Sequence, residues 1–333
     1  MKGKVKVGDV RLKEAKIEDA KLIHSLKYRT FLPLYMKYQD HETNPANEKI
    51  DKVEWQLKDP KTTYWLINYK DQTVGAIRVQ EKQKDIYRIA PIFIIPEYKN
   101  RGIASVVLER ILKYYENAIV WHLDTILEEK MSCHLYEKFG FTQTGKQEVI
   151  NERMTIVYYE KINLAIHLFK DTDAESVSYL ICRNFKEINV KDYGQEAVEE
   201  LVKTHDAAWV RKIASYANMY VFRRKEQIIA VGSISSFWGS LTESIILTVF
   251  VLPEYHKMGI GRKVIHTLEQ EQLFLRANRI EIPASITGVE FYRKLGYDYK
   301  NGIKELDEEG HYRLEKFQKP SNDKKHNGVN KLK

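Results

Sequence analysis

Two stretches decide the fold. They are Phe93-Ile94-Ile95-Pro96-Glu97-Tyr98-Lys99-Asn100-Arg101-Gly102-Ile103-Ala104 and Phe250-Val251-Leu252-Pro253-Glu254-Tyr255-His256-Lys257-Met258-Gly259-Ile260-Gly261. Each reads as an apolar strand, a Pro-Glu-Tyr turn, a basic loop with glycine, and the start of an amphipathic helix. The first turn of a helix leaves backbone N–H groups unpaired at the positive end of its dipole, so such a loop favours an anion. Gly102 and Gly259 allow a ligand close to the backbone, and Ala104 and Gly261 are expected to be small for the same reason. Lys99 and Arg101 add positive charge to the first loop, and Lys257, Arg262 and Lys263 to the second. The expected ligand group is a pyrophosphate.

The repeat extends in both directions. Asp19-Ala20 matches Asp173-Ala174, each opening a helix after a short strand pattern. Val74-Gly75-Ala76-Ile77 matches Val231-Gly232-Ser233-Ile234 at the offset of the Pro-Glu-Tyr turns (232 − 75 and 253 − 96, both 157). Leu135-Tyr136-Glu137-Lys138-Phe139-Gly140-Phe141 matches Phe291-Tyr292-Arg293-Lys294-Leu295-Gly296-Tyr297. The period is too long for a solenoid, so each copy is expected to be a complete domain. The expected domains are residues 1–162 and 163–317, with a basic, disordered tail over 318–333. Each half reads β-α-α-β-β-β-α-β-α-β-β. That order predicts an α+β fold with a mixed, mostly antiparallel twisted sheet flanked by helices.

Composition sets the class. The 333 residues suit about two domains, and 30% charged with 43% hydrophobic residues is ordinary for a globular protein. No apolar run approaches the ~18–20 residues that span a bilayer, and the basic N-terminus lacks an apolar leader segment. Cys133 and Cys182 fall one in each half without zinc spacing, so no metal is expected and a reducing cytoplasm is the simplest setting. Net charge is +8, and the tail supplies five Lys against one Asp. Nucleic acid is therefore not the expected partner, and neither is a membrane.

A Rossmann loop does not fit, because position 264 is Val where a third glycine belongs and a Pro-Glu-Tyr insert precedes Gly259. A P-loop fails for want of Gly-Lys-Ser/Thr. Both halves instead resemble the GNAT (Gcn5-related N-acetyltransferase) family, in two tandem copies. The resemblance rests on Lys99-x-x-Gly102-x-Ala104 with the segment around Tyr136, and on His256-x-x-Gly259-x-Gly261 with the segment around Tyr292. It implies acetyl-CoA as co-substrate. The implied cofactor loops are Lys99, Asn100, Arg101, Gly102, Ile103, Ala104 and Ser105, and His256, Lys257, Met258, Gly259, Ile260, Gly261 and Arg262. The implied strand segments, with an N–H for the thioester carbonyl, are Ile92, Phe93, Ile94 and Val249, Phe250, Val251. The family's usual Gln or Arg is Lys99 in one copy and His256 in the other. Its usual Asn before the Tyr is Glu129 in the first copy and Ser285 in the second; Ser285 is a polar substitute, whereas Glu129 would sit badly near cofactor phosphates.

Acetyl transfer to an amine needs a base, a polarised carbonyl and an acid for the leaving thiolate. The resemblance makes Tyr136 and Tyr292 the acids. Glu243, on the strand entering the second motif, is a base by the same resemblance or an ordinary strand-end carboxylate. Asp124 is the alternative in the first half. Cys133 reads as a buried helix residue, and His205-Asp206 are helix neighbours that do not face each other. The loops near Tyr38–Asn47 and Trp238–Glu243 would hold the acceptor, a small-molecule or peptide amine. The second half, with Gly259-x-Gly261, Ser285, Tyr292 and Glu243, reads as the more complete catalyst. The rival reading is a CoA-sensing or partner-binding module with one or both halves inactive.

Overall fold

The computed structural model describes residues 6–318. Apart from Gln318, the predicted tail lies outside them. The chain divides into two compact units between Asn163 and Leu164.

The first unit runs β1 (Val10–Glu14), α1 (Ala20–Tyr38), α2 (Ile50–Lys58), β2 (Thr62–Tyr69), β3 (Gln72–Gln83), β4 (Ile86–Ile94), α3 (Ile103–Tyr114), β5 (Val120–Ile126), α4 (Lys130–Lys138), β6 (Thr142–Asn151) and β7 (Met154–Ile162). Its seven strands form one sheet, ordered β1-β2-β3-β4-β5-β7-β6. The second unit runs β8 (Ala165–Leu168), α5 (Ala174–Asn184), α6 (Val190–Tyr193), α7 (Gln195–Thr204), α8 (Ala207–Ala214), β9 (Asn218–Arg224), β10 (Gln227–Ser236) and β11 (Glu243–Val251). It continues through α9 (Ile260–Leu268), α10 (Gln272–Leu275), β12 (Arg279–Ala284), α11 (Val289–Arg293), β13 (Asp298–Tyr299) and β14 (Tyr312–Phe317). Its sheet has the same order, β8-β9-β10-β11-β12-β14-β13. Both are α+β domains with a mixed sheet in which only one neighbouring pair is parallel, β4 with β5 and β11 with β12.

The helices follow their apolar spacing. In α3, Ile103, Val107, Leu108 and Ile111 are fully buried, on the face that packs into the core. In α9, Ile260, Val264, Ile265 and Leu268 do the same. α1 carries Pro33 inside it. Pro33 removes a helical N–H, and nearby Thr30 donates back to the Leu26 carbonyl at 2.8 Å. The matching place in the second unit has Asn184 donating to the Leu180 carbonyl at 3.0 Å, followed by a π turn over Phe185–Asn189. Directly after Thr30 and Asn184 comes a repeated ring contact: Phe31 with Phe93 at 5.9 Å, and Phe185 with Phe250 at 5.6 Å.

One sequence match is corrected by strand register. The Val-Gly-x-Ile segments suggest that Gly75 corresponds to Gly232. In the sheet, Gly75 faces Ile94, whereas Ala230 faces Val251, the residue matching Ile94. The Ile95 N–H bonds the Val74 carbonyl, and the Leu252 N–H bonds that of Ile229. So the third strands align with Gln72 on Gln227 and Arg78 on Ser233, two residues away from the sequence match. The two glycines serve different contacts. A Cβ at Gly75 would stand 2.0 Å from the Phe93 carbonyl oxygen, and one at Gly232 would stand 2.3 Å from Val264 Cγ1.

Candidate active site

In each unit the parallel pair of strands opens. β4 and β5 pair only through Ile86–Arg88 and Val120–His122. Beyond that, β4 stays bound to β3 as far as Ile94, and β5 to β7 as far as Ile126. β11 and β12 likewise pair only through Glu243–Ile245 and Arg279–Glu281, and then follow β10 and β14 apart. A wedge between two strands exposes backbone donors and acceptors that a sheet would otherwise use. Each wedge sits where the fourth strand feeds the Pro-Glu-Tyr turn.

That turn is clamped from outside. Glu97 accepts from Arg29 of α1 at 3.0 Å, and Glu254 accepts from Arg183 of α5 at 2.9 Å through both oxygens. The Tyr98 hydroxyl donates to Gln72, and that of Tyr255 donates to Gln227 at 3.1 Å. These partners are far away in sequence and carried no local signal.

After the clamp the two loops follow one backbone path. Asn100 and Lys257 have φ of 60° and 62°, and Gly102 and Gly259 have φ of 88° and 78° as N-caps of α3 and α9. Neither helix has a side chain capping its first turn, so its amides face the loop. A Cβ at Gly102 would meet nothing within 4 Å. Arg101 lies over the Tyr98 ring, donates to the Glu97 carbonyl at 2.8 Å, and has a buried Nε without a partner. Open amides, an open glycine and an orphaned guanidinium nitrogen fit a pyrophosphate-bearing ligand. The His256 side chain is occupied differently: its Nε2 donates to the Val251 carbonyl at 2.8 Å, tying the loop to the end of β11. Gly261 is small for another reason than predicted, since a Cβ there would stand 3.2 Å from the Phe291 ring.

Tyr136 and Tyr292 are buried on α4 and α11. Burial raises both phenol pKa values, and Asp124 and Cys133 further oppose ionisation of Tyr136. Both therefore keep their protons at neutral pH. The Ser285 hydroxyl and the Tyr292 ring meet at Gly288, 3.1 and 3.4 Å from the place of its missing Cβ. Glu129 accepts from Lys37 and from the Tyr38 hydroxyl, both at 2.7 Å. Burial alone would raise its pKa, but these bonds outweigh it and hold the carboxyl low. The carboxylate predicted to repel phosphate is thus neutralised from α1. In the second unit Asp192, after α5, accepts instead from Thr287 N and Oγ1 at 3.2 and 2.8 Å, beside Ser285.

Glu243 is not in the wedge. It begins β11 at the closed, paired end, opposite Arg279, which donates to it at 2.7 Å. Arg279 also binds Glu281 and Glu315. The hydrogen bond from Arg279 lowers the Glu243 pKa. A carboxylate that prefers its charge and lies away from the opening is a poor base, so its assignment as the base is corrected. Of the predicted acceptor loops, Asp40 is spent locally, accepting from the N–H groups of Glu42 and Thr43, while Trp238 is exposed at the tip of its loop.

The first wedge does gather titratable groups. Arg88 pairs with Asp124, which lies two residues past the last β4–β5 pair and faces Tyr158 across β7. His122 aligns with Arg88; burial, then Arg88, lower its pKa, so it is neutral at pH 7. Tyr158 donates to Glu148 at 2.7 Å. The alternation of β5 could have indicated His122, but Arg88 and Tyr158 come from other strands. By strand position the counterpart of Asp124 in the second unit is Pro283.

Comparison with known proteins agrees with the duplicated fold. Residues 27–141 match the Acetyltransferase (GNAT) family and residues 189–310 the Acetyltransferase (GNAT) domain. The chain therefore belongs to the GNAT acyltransferase family, once in each half. It is 31% identical over 105 residues to the uncharacterized N-acetyltransferase YafP of Escherichia coli, a match covering 32% of this chain and 62% of that protein. Among solved structures, it resembles a spermidine N-acetyltransferase from Vibrio cholerae in complex with CoA and spermine, with 21% identity, TM-score 0.39, and coverage of 46% of this chain and 96% of that one. It also resembles a GNAT acetyltransferase from Streptococcus pneumoniae, with 17% identity, TM-score 0.37, and coverage of 46% and 98%. No described helix is long and apolar enough to cross a membrane.

Proposed function

We propose that this chain is an acetyl-CoA-dependent N-acetyltransferase acting on a primary amine by direct transfer, with two cofactor cradles. The observation that carries the reading is the repeated assembly of an open strand wedge, a left-handed glycine N-cap and a buried protonated tyrosine. The amide-bearing arm of the co-substrate suits the wedge, and its pyrophosphate suits the amides of α3 and α9. The amine attacks the thioester carbonyl; the C–N bond forms and the C–S bond breaks. Tyr136 or Tyr292 gives its proton to the departing sulfur.

We assign turnover first to the N-terminal half, reversing the order expected from Gly259-x-Gly261, Ser285, Tyr292 and Glu243. There Asp124, beside Tyr136, receives the cationic amine, and neutral His122 takes its proton through water. In the second half Glu243 lies at the closed, paired end of the strands, and Pro283 stands where Asp124 would reach the opening. That half binds acetyl-CoA with slower turnover or none, which keeps the sensing module as a second reading for it alone. The test is calorimetric titration of acetyl-CoA followed by an amine panel with thiol detection. Two binding sites are expected, with thiol release that Tyr136→Phe slows more than Tyr292→Phe. Absence of acetyl-CoA binding would end the proposal.

A further inference from the structure

We propose that Arg78 and Ser233 are positioning residues for the amide that polarises the transferred carbonyl. They occupy one structural position, on β3 and β10, which the sequence match misaligned by two residues. Both side chains donate to the same backbone atom of the neighbouring strand. Arg78 Nε bonds the Ala90 carbonyl, and Ser233 Oγ bonds the Leu247 carbonyl at 3.0 Å. Ala90 and Leu247 correspond through the strand leading to the Pro-Glu-Tyr turns.

Those carbonyls open a bulge in each fourth strand. Between Ile77↔Ile92 and Val79↔Ile89, two residues of β4 face one of β3. Between Val231↔Phe250 and Ser233↔Leu247, two residues of β11 face one of β10. A bulge re-aims the peptides that follow it. In the second half Ser233 pins the Leu247–Thr248 peptide, and Thr248, with φ of 54°, turns the next one. In the first half the position of Thr248 is Pro91, which has no N–H. The first amide common to both bulges is therefore that of Ile92 or Val249, at the edge of the wedge. A donor aimed at developing negative charge lowers the barrier only if it is already oriented. Two unlike side chains, a guanidinium and a buried hydroxyl, converge on one carbonyl, and the shared consequence is the direction of that amide.

This inference rests on the acetyl-CoA reading, and the experiment separates the two. The full chain is titrated with acetyl-CoA labelled with carbon-13 at the thioester carbonyl. Acetyl-CoA affinity and the bound carbonyl signal are then measured for the natural chain, Ser233→Ala and Arg78→Met. A polarised carbonyl moves downfield on binding. Ser233→Ala is expected to return one bound signal toward its free position with affinity kept within about twofold, and Arg78→Met to do so for the other. Arg78→Lys, which keeps a donor, is expected to restore part of the shift. In whichever half turns over, kcat should fall about tenfold or more with KM for acetyl-CoA unchanged. No binding by the natural chain removes the acetyl-CoA reading and this inference with it. Binding with signals that neither variant moves overturns the inference alone, because a side chain that only satisfied a buried carbonyl would alter stability and nothing else. Because each half reports separately, loss of folding in one variant leaves the other to decide.

Discussion

The two wedges share a backbone and differ in charge. In the first, an Arg88–Asp124 pair stands at the opening, with His122 on the strand of Asp124 and Tyr158 on the next strand. In the second, charge has gathered at the closed end, where Arg279 holds Glu243, Glu281 and Glu315, and Lys300 adds a bond to Glu281. The strands beyond differ as well: β6 has ten residues and β13 has two. One scaffold thus carries an ion pair at the opening of one wedge and an ion cluster at the closed end of the other. The position of a carboxylate along a strand decides between those roles more than its presence in the motif.

The largest effect that could break this comparison is on turnover. Asp124→Asn should lower kcat/KM for the amine by about 10²–10⁴-fold, while Glu243→Gln changes it by less than about threefold. The reverse ranking would return catalysis to the second half. The next effect is on stability. Asp173 is buried and bound by Arg223 at 2.6 Å, His167 at 3.2 Å and the Lys170 N–H at 2.9 Å. Among the described residues, the side chain of its counterpart Asp19 makes the matching bond to the Lys16 N–H at 2.9 Å. Asp173→Ala should cost about 3–5 kcal/mol, and Asp19→Ala about 1 kcal/mol, read from urea melts with hydrogen exchange assigning the half. Burial alone would raise the Asp173 pKa, but its partners hold it low. Its contribution is therefore complete above the unfolded carboxylate value and is lost as pH falls through the folded one. Asp173→Asn should flatten that acid-side decline. The smallest effect is a displacement of the pH profile. Because burial lowers the His122 pKa from 6.5, the acid limb of kcat should lie below pH 6.5 and disappear in His122→Gln. A limb above that value would remove His122 from the proton path.

Most of the element order was legible because it is local. Apolar spacing marked α3 and α9, and Gly102 and Gly259 marked their starts. What depended on pairing across the sheet was not legible. A tetrapeptide match set β3 against β10 two residues out of register, because hairpin register is fixed by partner strands and bulges rather than by resemblance. Glu243 looked available because Arg279, its partner, lies 36 residues away. Glu129 looked repulsive because Lys37 and Tyr38 come from α1. Pro33 sits inside α1 although a proline normally ends a helix.

The clamps on the Pro-Glu-Tyr turns have a consequence for divergence. Arg29 with Gln72, and Arg183 with Gln227, fix where each turn sits before its loop begins. The loop residues share that work in different ways, Arg101 through the Glu97 carbonyl in one cradle and His256 through the Val251 carbonyl in the other. Asn100 can become Lys257 and Lys99 can become His256 while the φ angles remain within a few degrees. A duplicated gene built this way can retune the charge of one cradle in single steps, each leaving its shape and its twin untouched.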